Sequence, residues 1–112
     1  MTHNSQQRKD MPVFSGVLSY FPDAILYLSE ISKAGNDKHN PGQPLHWDRS
    51  KSTDEPDAMV RHTIDRAKGI IFDTDGFRHS GRIAWRAMAF LQKELEDANK
   101  LPTTKRQIKK SR

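Results

Sequence analysis

Asp54, Asp57, Arg61 and Asp65 follow one another at spacings of three, four and four residues, so on a helix they share one face. That face holds three carboxylates and a guanidinium and no apolar side chain. It reads either as a solvated surface or as a set of hard oxygen ligands. Capping explains part of the acidity of KSTDEPDAMVRHTIDR, residues 51–66. Ser52, Thr53 and Asp54 are all good N-cap residues, and Ser52-x-x-Glu55 resembles a capping box. Acids in a first turn meet the positive end of the helix dipole. Pro56 is tolerated there, and Thr53 is the preferred cap because it keeps Pro56 within the first three helical positions. Capping does not extend to the next turn. Glu30 tips the balance toward ligands, since it is the only acid after Asp23 in a largely apolar helical pattern. A Glu on one helix facing Asp54-x-x-Asp57 on an antiparallel neighbour makes a site that Mg²⁺ or Mn²⁺ favours together with substrate phosphates. Asp54 is suited to both roles.

The histidines give a weaker signal. His62 and Asp65 stand three residues apart on one face, so one can orient the other, and a structural hydrogen bond is the commoner use of such a His. His79, near the start of the third predicted helix, suits the cap region or a position behind the ligands. His62 is not followed by Asp, so the adjacent His-Asp pair of the HD phosphohydrolases is absent. No Ser/His/Asp arrangement and no G-x-x-x-x-G-K phosphate loop is present either.

The elements that must position these residues are helical. In PDAILYLSEISKAG, Ile25, Leu28 and Ile31 recur at three-residue steps with Leu26 beside them. Pro22 suits the first helical position and Gly35 a C-terminal cap, which predicts a helix over 22–34. Residues 35–52 read as a loop, with two Gly, two Pro and two Asn, and a loop that long in a small domain is usually functional or disordered. A second helix is predicted over 54–68, ended by Gly69, and GIIFDT follows as an apolar connector. The third runs from Asp75 and Gly76 to about Asp97, with Ile83, Ala84, Ala87, Met88, Phe90, Leu91 and Leu95 forming a wide apolar stripe and Trp85 beside it. That stripe is wider than one short helix pair covers. The expected fold is all-α, a small bundle of three main helices completed by homo-oligomerisation, as a dimer or tetramer.

Composition bounds the remainder. The 112 residues argue for one domain, and an apolar content of 34% with a mean hydropathy of −0.87 leaves a lone chain a thin core. Residues 1–13 are expected to be a loose polar lead, 14–98 the folded domain and 99–112 a basic tail. Residues 100–112 carry six Lys and Arg and no acid against a net charge of +5 for the whole chain, so the basic pI describes the tail and not the domain surface. Nucleic-acid binding is therefore not expected of the domain. With no Cys, disulfides and thiolate metal sites are excluded. No apolar run nears the ~20 residues of a membrane span, and MTHNSQQRKD lacks a signal-peptide core. A cytoplasmic protein is expected.

FPDAILYLSEISKAGNDKHNPGQPLHW, KSTDEPDAMVRHTIDR and DTDGFRHSGRIAWRAMAFLQKELE, together spanning about residues 14–96, resemble the MazG-like all-α nucleoside triphosphate pyrophosphohydrolases. More narrowly, they resemble the phage dATP/dGTP diphosphohydrolases of the MazZ type. The resemblance implies cleavage of a purine deoxynucleoside triphosphate between its α and β phosphates, giving the monophosphate and pyrophosphate. In phages with 2-aminoadenine in their DNA, it implies a supply of dGMP for the modified base. Members bind Mg²⁺ through E-x-x-E on one helix and E-x-x-D on the next. The second motif corresponds to Asp54-x-x-Asp57, whereas the first is degraded. Glu30 is present, but Lys33 stands three residues on and Tyr27 three residues back, leaving Asp23, Asp65 or Asp75 as substitutes. The implied site has two or more metal ions on Glu30, Asp54 and Asp57, which neutralise the triphosphate and activate water. Lys33, Lys38, Lys51, Arg61 and Arg78 are the cations for phosphate, and His62, Asp65 and His79 lie behind the ligands. Trp47 could stack on the purine with Asn36 or His46 reading its edge, or could anchor the loop. Two other readings stay open: a nucleic-acid-binding module acting through the basic tail, and an inactive relative serving as a scaffold.

Overall fold

A computed structural model describes residues 3–51 and 53–100, and the regular structure among them is helical. It comprises α1 (Ser5–Lys9), a π-helical turn (Phe14–Leu18), α2 (Pro22–His39), α3 (Glu55–Ala67) and α4 (His79–Lys100). The all-α class expected from the sequence is what is found, with one isolated antiparallel bridge, Phe72 with Arg78, as the sole β pairing among the described residues. No single helix among them is long and apolar enough to cross a membrane. Contacts divide the chain into two compact units, one up to Gln43 and one from Pro44 onward. Ser52 and the basic tail beyond Lys100 lie outside the described residues.

In the first unit, α1 sits within the polar lead expected of residues 1–13. A capping box closes it, in which Asn4 Oδ1 accepts from the Gln7 amide and Gln7 Oε1 from the Asn4 amide, both at 2.8 Å. The π turn is closed by the Ser19 amide donating to Phe14 O at 2.8 Å. Helix α2 begins with Pro22 at its first position, as predicted, but runs past Gly35 to His39. Gly35 has the ordinary φ of the helix and costs about 1 kcal/mol relative to Ala. The extra turn that offsets this brings a Lys33–Asp37 pair at 2.6 Å and a buried Asn36 whose Nδ2 donates to Gln43 O at 3.1 Å. The left-handed glycine that turns the chain is Gly42, with φ +76°. The predicted loop is thus shorter than 35–52, and Asn36, Lys38 and His39 are helical.

The second unit is built on α3 packed against α4. Helix α3 ends as the sequence predicts, by a Schellman motif. The Gly69 amide donates to Arg66 O and the Ile70 amide to Asp65 O, each at 3.0 Å, with Gly69 at φ +88°. A tight connection follows. The Asp73 amide donates to Phe77 O at 2.7 Å, the Gly76 amide to Asp73 O at 3.0 Å and the His79 amide to Ile71 O at 2.9 Å. Gly76, at φ +89°, supplies the left-handed residue that this turn requires. Asp75 Oδ1 accepts from the Phe77 amide at 3.1 Å and its other oxygen pairs with Arg82. Asp75 and Gly76 therefore belong to the turn, and the last helix starts three or four residues later than the sequence suggested. The segment before α3 lies along α4: Trp47 meets Trp85 edge-to-face at 5.9 Å, and Arg49 donates to Glu96 Oε1 at 2.9 Å.

Candidate active site

The three acidic residues at the start of α3, Asp54, Glu55 and Asp57, meet three different environments. Asp54 is the N-cap residue, one position later than the preferred Thr53, with Pro56 at the second helical position. Its carboxylate caps no helix amide. It is drawn instead to guanidinium groups, at 3.1 Å from Arg61 Nη2 and 3.9 Å from Arg86 Nη1. Glu55, assigned by sequence to the helix start alone, is 2% exposed. Its carboxylate is 2.9 Å from Lys93 Nζ, which ties α3 to α4. Asp57 is exposed, and no ion pair or hydrogen bond engages its carboxylate among the described residues. Successive helical positions differ by about 100° in direction, so Glu55 points at α4 and Asp57 at solvent.

In the other unit, Glu30 projects from α2, exposed and likewise without an ion pair among the described residues. Glu30 and Asp57 therefore have the free, hard oxygen donors that Mg²⁺ or Mn²⁺ requires, whereas Asp54 would have to exchange a guanidinium for the ion. Of the cations expected to meet phosphate, Lys33 is paired with Asp37, Arg61 with Asp54, and Arg78 lies 5.0 Å over the Phe72 ring. Lys38 and Lys51 are exposed. Asn36 is buried, His46 exposed, and Trp47 is held as a loop anchor between Trp85 and Arg49, whose guanidinium lies 4.1 Å over its ring.

A second cluster forms where the turn meets the two helices. His62 of α3 and His79 of α4 approach Nδ1 to Nδ1 at 2.8 Å, and His79 is 3% exposed. Asp73, from the turn, joins them: ligand atoms of His62, Asp73 and His79 all lie within 4.8 Å of one another, a group able to hold an ion. Asp65 faces His79, with Nε2 to Oδ2 at 3.7 Å, and not its own-helix neighbour His62. The orienting pair expected from the i,i+3 spacing is thus replaced by a pair across the hairpin. Burial pushes the His62 imidazole below its usual value, opposed by Asp73 and reinforced by the charges of His79, Arg82 and Arg86. Burial disfavours the Asp75 carboxylate, but the Phe77 amide and Arg82 outweigh that and keep its pKa below the usual carboxylate value. Arg82 Nε is buried with no hydrogen-bond partner. Asp73 and Arg82 were not singled out by sequence, although the D-x-D-G turn signal beside His79 marks the place.

Comparison with curated proteins and with solved structures found no match for the chain. The family model described as dATP/dGTP diphosphohydrolase, N-terminal, matches residues 2–102. That match spans α1 to α4, the acidic start of α3 and the histidine cluster, and fits the resemblance read from the sequence. The chain belongs to the dATP/dGTP diphosphohydrolase family, and with it is a hydrolase of acid anhydrides whose substrate is a deoxynucleoside triphosphate.

Proposed function

We propose that the chain is a metal-dependent diphosphohydrolase that cleaves purine deoxynucleoside triphosphates between the α and β phosphates, releasing the monophosphate and pyrophosphate. The family match over residues 2–102 carries this reading. The free carboxylates of Glu30 and Asp57 support its metal dependence. Glu30 in the first unit, and Asp57 with Asp54 once released by Arg61 in the second, are the carboxylates proposed as ligands for Mg²⁺ or Mn²⁺. Such an ion, when bound, offsets phosphate charge and acidifies water. The chain's own cations do the rest of the electrostatic work. Lys38 and Lys51 are solvent-facing and available to phosphate oxygens, and Lys33 and Arg61 are in exposed pairs that a triphosphate outcompetes easily. Phosphoryl transfer needs positioning and charge compensation more than a nucleophilic side chain. His46 and Trp47, with Asn36, are the candidates for contacting the purine.

The setting that this activity fits is phage nucleotide metabolism in the host cytoplasm, including supply of dGMP where 2-aminoadenine replaces adenine. A homo-oligomer is part of the proposal. Met88, Leu91 and Leu95, on one face of α4, are each more than half exposed, and a second subunit would cover such a stripe. The test is release of pyrophosphate from dGTP and dATP with Mg²⁺ or Mn²⁺, read by product analysis beside the other common triphosphates. Inorganic phosphate and a diphosphate as products would overturn the cleavage position. Removal of residues 100–112 leaves turnover unchanged on this reading, whereas a nucleic-acid module working through the tail would lose a salt-sensitive DNA affinity.

A further inference from the structure

The cluster at the turn of the α3–α4 hairpin gathers imidazole nitrogens and a carboxylate oxygen within 4.8 Å of one another. Two imidazoles meet through the same ring atom, Nδ1, at 2.8 Å. In a neutral pair, one Nδ1 can donate its proton to the other. The Asp65 carboxylate beside His79 Nε2 favours the proton on that nitrogen, so His79 Nδ1 presents a lone pair to the cluster. His62 Nδ1 faces the same point, and an Asp73 oxygen completes a triangle with edges no longer than 4.8 Å. The three groups come from α3, the turn and α4, and backbone hydrogen bonds of the turn fix the two on its far side. The Asp73 amide donates to Phe77 O, the His79 amide to Ile71 O, and Asp73 Oδ1 accepts from the Thr74 amide at 2.8 Å. His79 is buried, so its ring is fixed by packing as well. The nearby guanidinium groups are already engaged, Arg82 with Asp75 and Arg86 with Asp54.

We propose that His62, Asp73 and His79 form a binding site for a borderline divalent transition ion such as Zn²⁺ or Co²⁺, with Asp65 as the carboxylate that orients His79. Two imidazole nitrogens and one carboxylate oxygen suit such ions and not Mg²⁺, which takes oxygen almost alone. Nitrogen ligands about 2.0 Å from a tetrahedral ion stand roughly 3.3 Å apart, so binding parts the two rings by about half an ångström and draws the Asp73 oxygen to a similar distance from both. Three protein ligands leave the fourth position open to water or another small ligand. The site lies wholly within the second unit, and it is separate in residues and in ligand chemistry from the Glu30, Asp54 and Asp57 set. It does not depend on the cleavage reaction proposed above.

The test is titration of Co²⁺ into the metal-free full-length chain in a buffer containing excess Mg²⁺, followed by the visible d–d bands of four-coordinate cobalt and by the melting temperature. The expected result is saturation at one ion per chain, displacement by Zn²⁺, and a rise in melting temperature. Asp73→Asn and His62→Gln each abolish the bands, while circular dichroism confirms that both variants are folded. Asp65→Asn weakens binding about tenfold, as loss of an outer-sphere carboxylate does. Asp57→Asn and Glu30→Gln leave the bands in place. Absence of cobalt binding by the unaltered chain overturns the proposal, as does binding that survives Asp73→Asn and His62→Gln or is lost with Asp57→Asn.

Discussion

The α3–α4 hairpin is fastened at its two ends by opposite means. At the open end, Glu55 is buried against Lys93 at 2.9 Å, a full negative charge neutralised by a full positive one. At the turn end, two imidazoles and the Asp73 carboxylate converge, and the nearby Arg82 and Arg86 are paired with Asp75 and Asp54. The first arrangement is internally complete and can serve the fold alone. The second has lone pairs and negative charge gathered at one point, which is the electrostatic description of a receptor. Acidic and basic residues are abundant in both places, so composition does not separate them. What separates them is that an ion pair closes the first, whereas among the described residues no ion pair engages Asp73 in the second.

The comparison is broken most severely at the open end. Lys93→Met strands a buried carboxylate, and chemical denaturation should show a loss of about 3–5 kcal/mol. Pairing it with Glu55→Met should recover most of that. A loss below about 1 kcal/mol would mean that the pair behaves like an exposed one. Next in size is Asp57→Asn. Its carboxylate is two residues from Glu55 but is spent on no fold contact, so pyrophosphate release should fall by about 100-fold with the denaturation midpoint unmoved. Full activity in this variant would remove Asp57 from the site. Asp54→Asn, acting on a carboxylate that two arginines already engage, should cost activity less than Asp57→Asn does.

The turn end should respond to pH through His62. His62 in the folded chain lies below its ordinary value of 6.5 because burial disfavours its charged form. The unfolded chain therefore binds the proton more readily, and stability should be complete above about pH 6.5 and decline as pH falls through that value. His62→Gln should flatten that portion of the stability curve, measured by urea midpoints from pH 8 to 5. The smallest effect is expected at Lys33–Asp37, an exposed i,i+4 pair whose removal by Lys33→Ala should shift stability by no more than about 0.5 kcal/mol.

Most of the helical framework was legible in the sequence because its signals are local. Pro22 opens α2 and Gly69 closes α3 at the residues predicted, for reasons of φ and a missing amide that hold in any context. Local reasoning failed where two local preferences compete. Gly35 was a plausible stop, but the helix continued because the following turn adds the Lys33–Asp37 pair and a buried, hydrogen-bonded Asn36. Asp75 and Gly76 read locally as the start of α4, but Gly76 instead serves the turn before it. For the candidate site, spacing identified Asp54 and Asp57 on one face, yet it could not tell which acid lies inside.

By itself, the sequence determined an all-helical chain, the boundaries set by proline and glycine, a basic tail set apart from a slightly acidic remainder, and the family to which the chain belongs. These follow from backbone geometry, charge and motif text, none of which requires knowing what lies opposite a residue. The tertiary structure decided that Glu55 is buried and Asp57 is not, that Trp47 rests on Trp85, and that His62 answers His79 and not Asp65. Each of those outcomes depends on where α4 passes. A side chain's partner across a hairpin is set by how the two helices pack, and that information is spread over every contact between them.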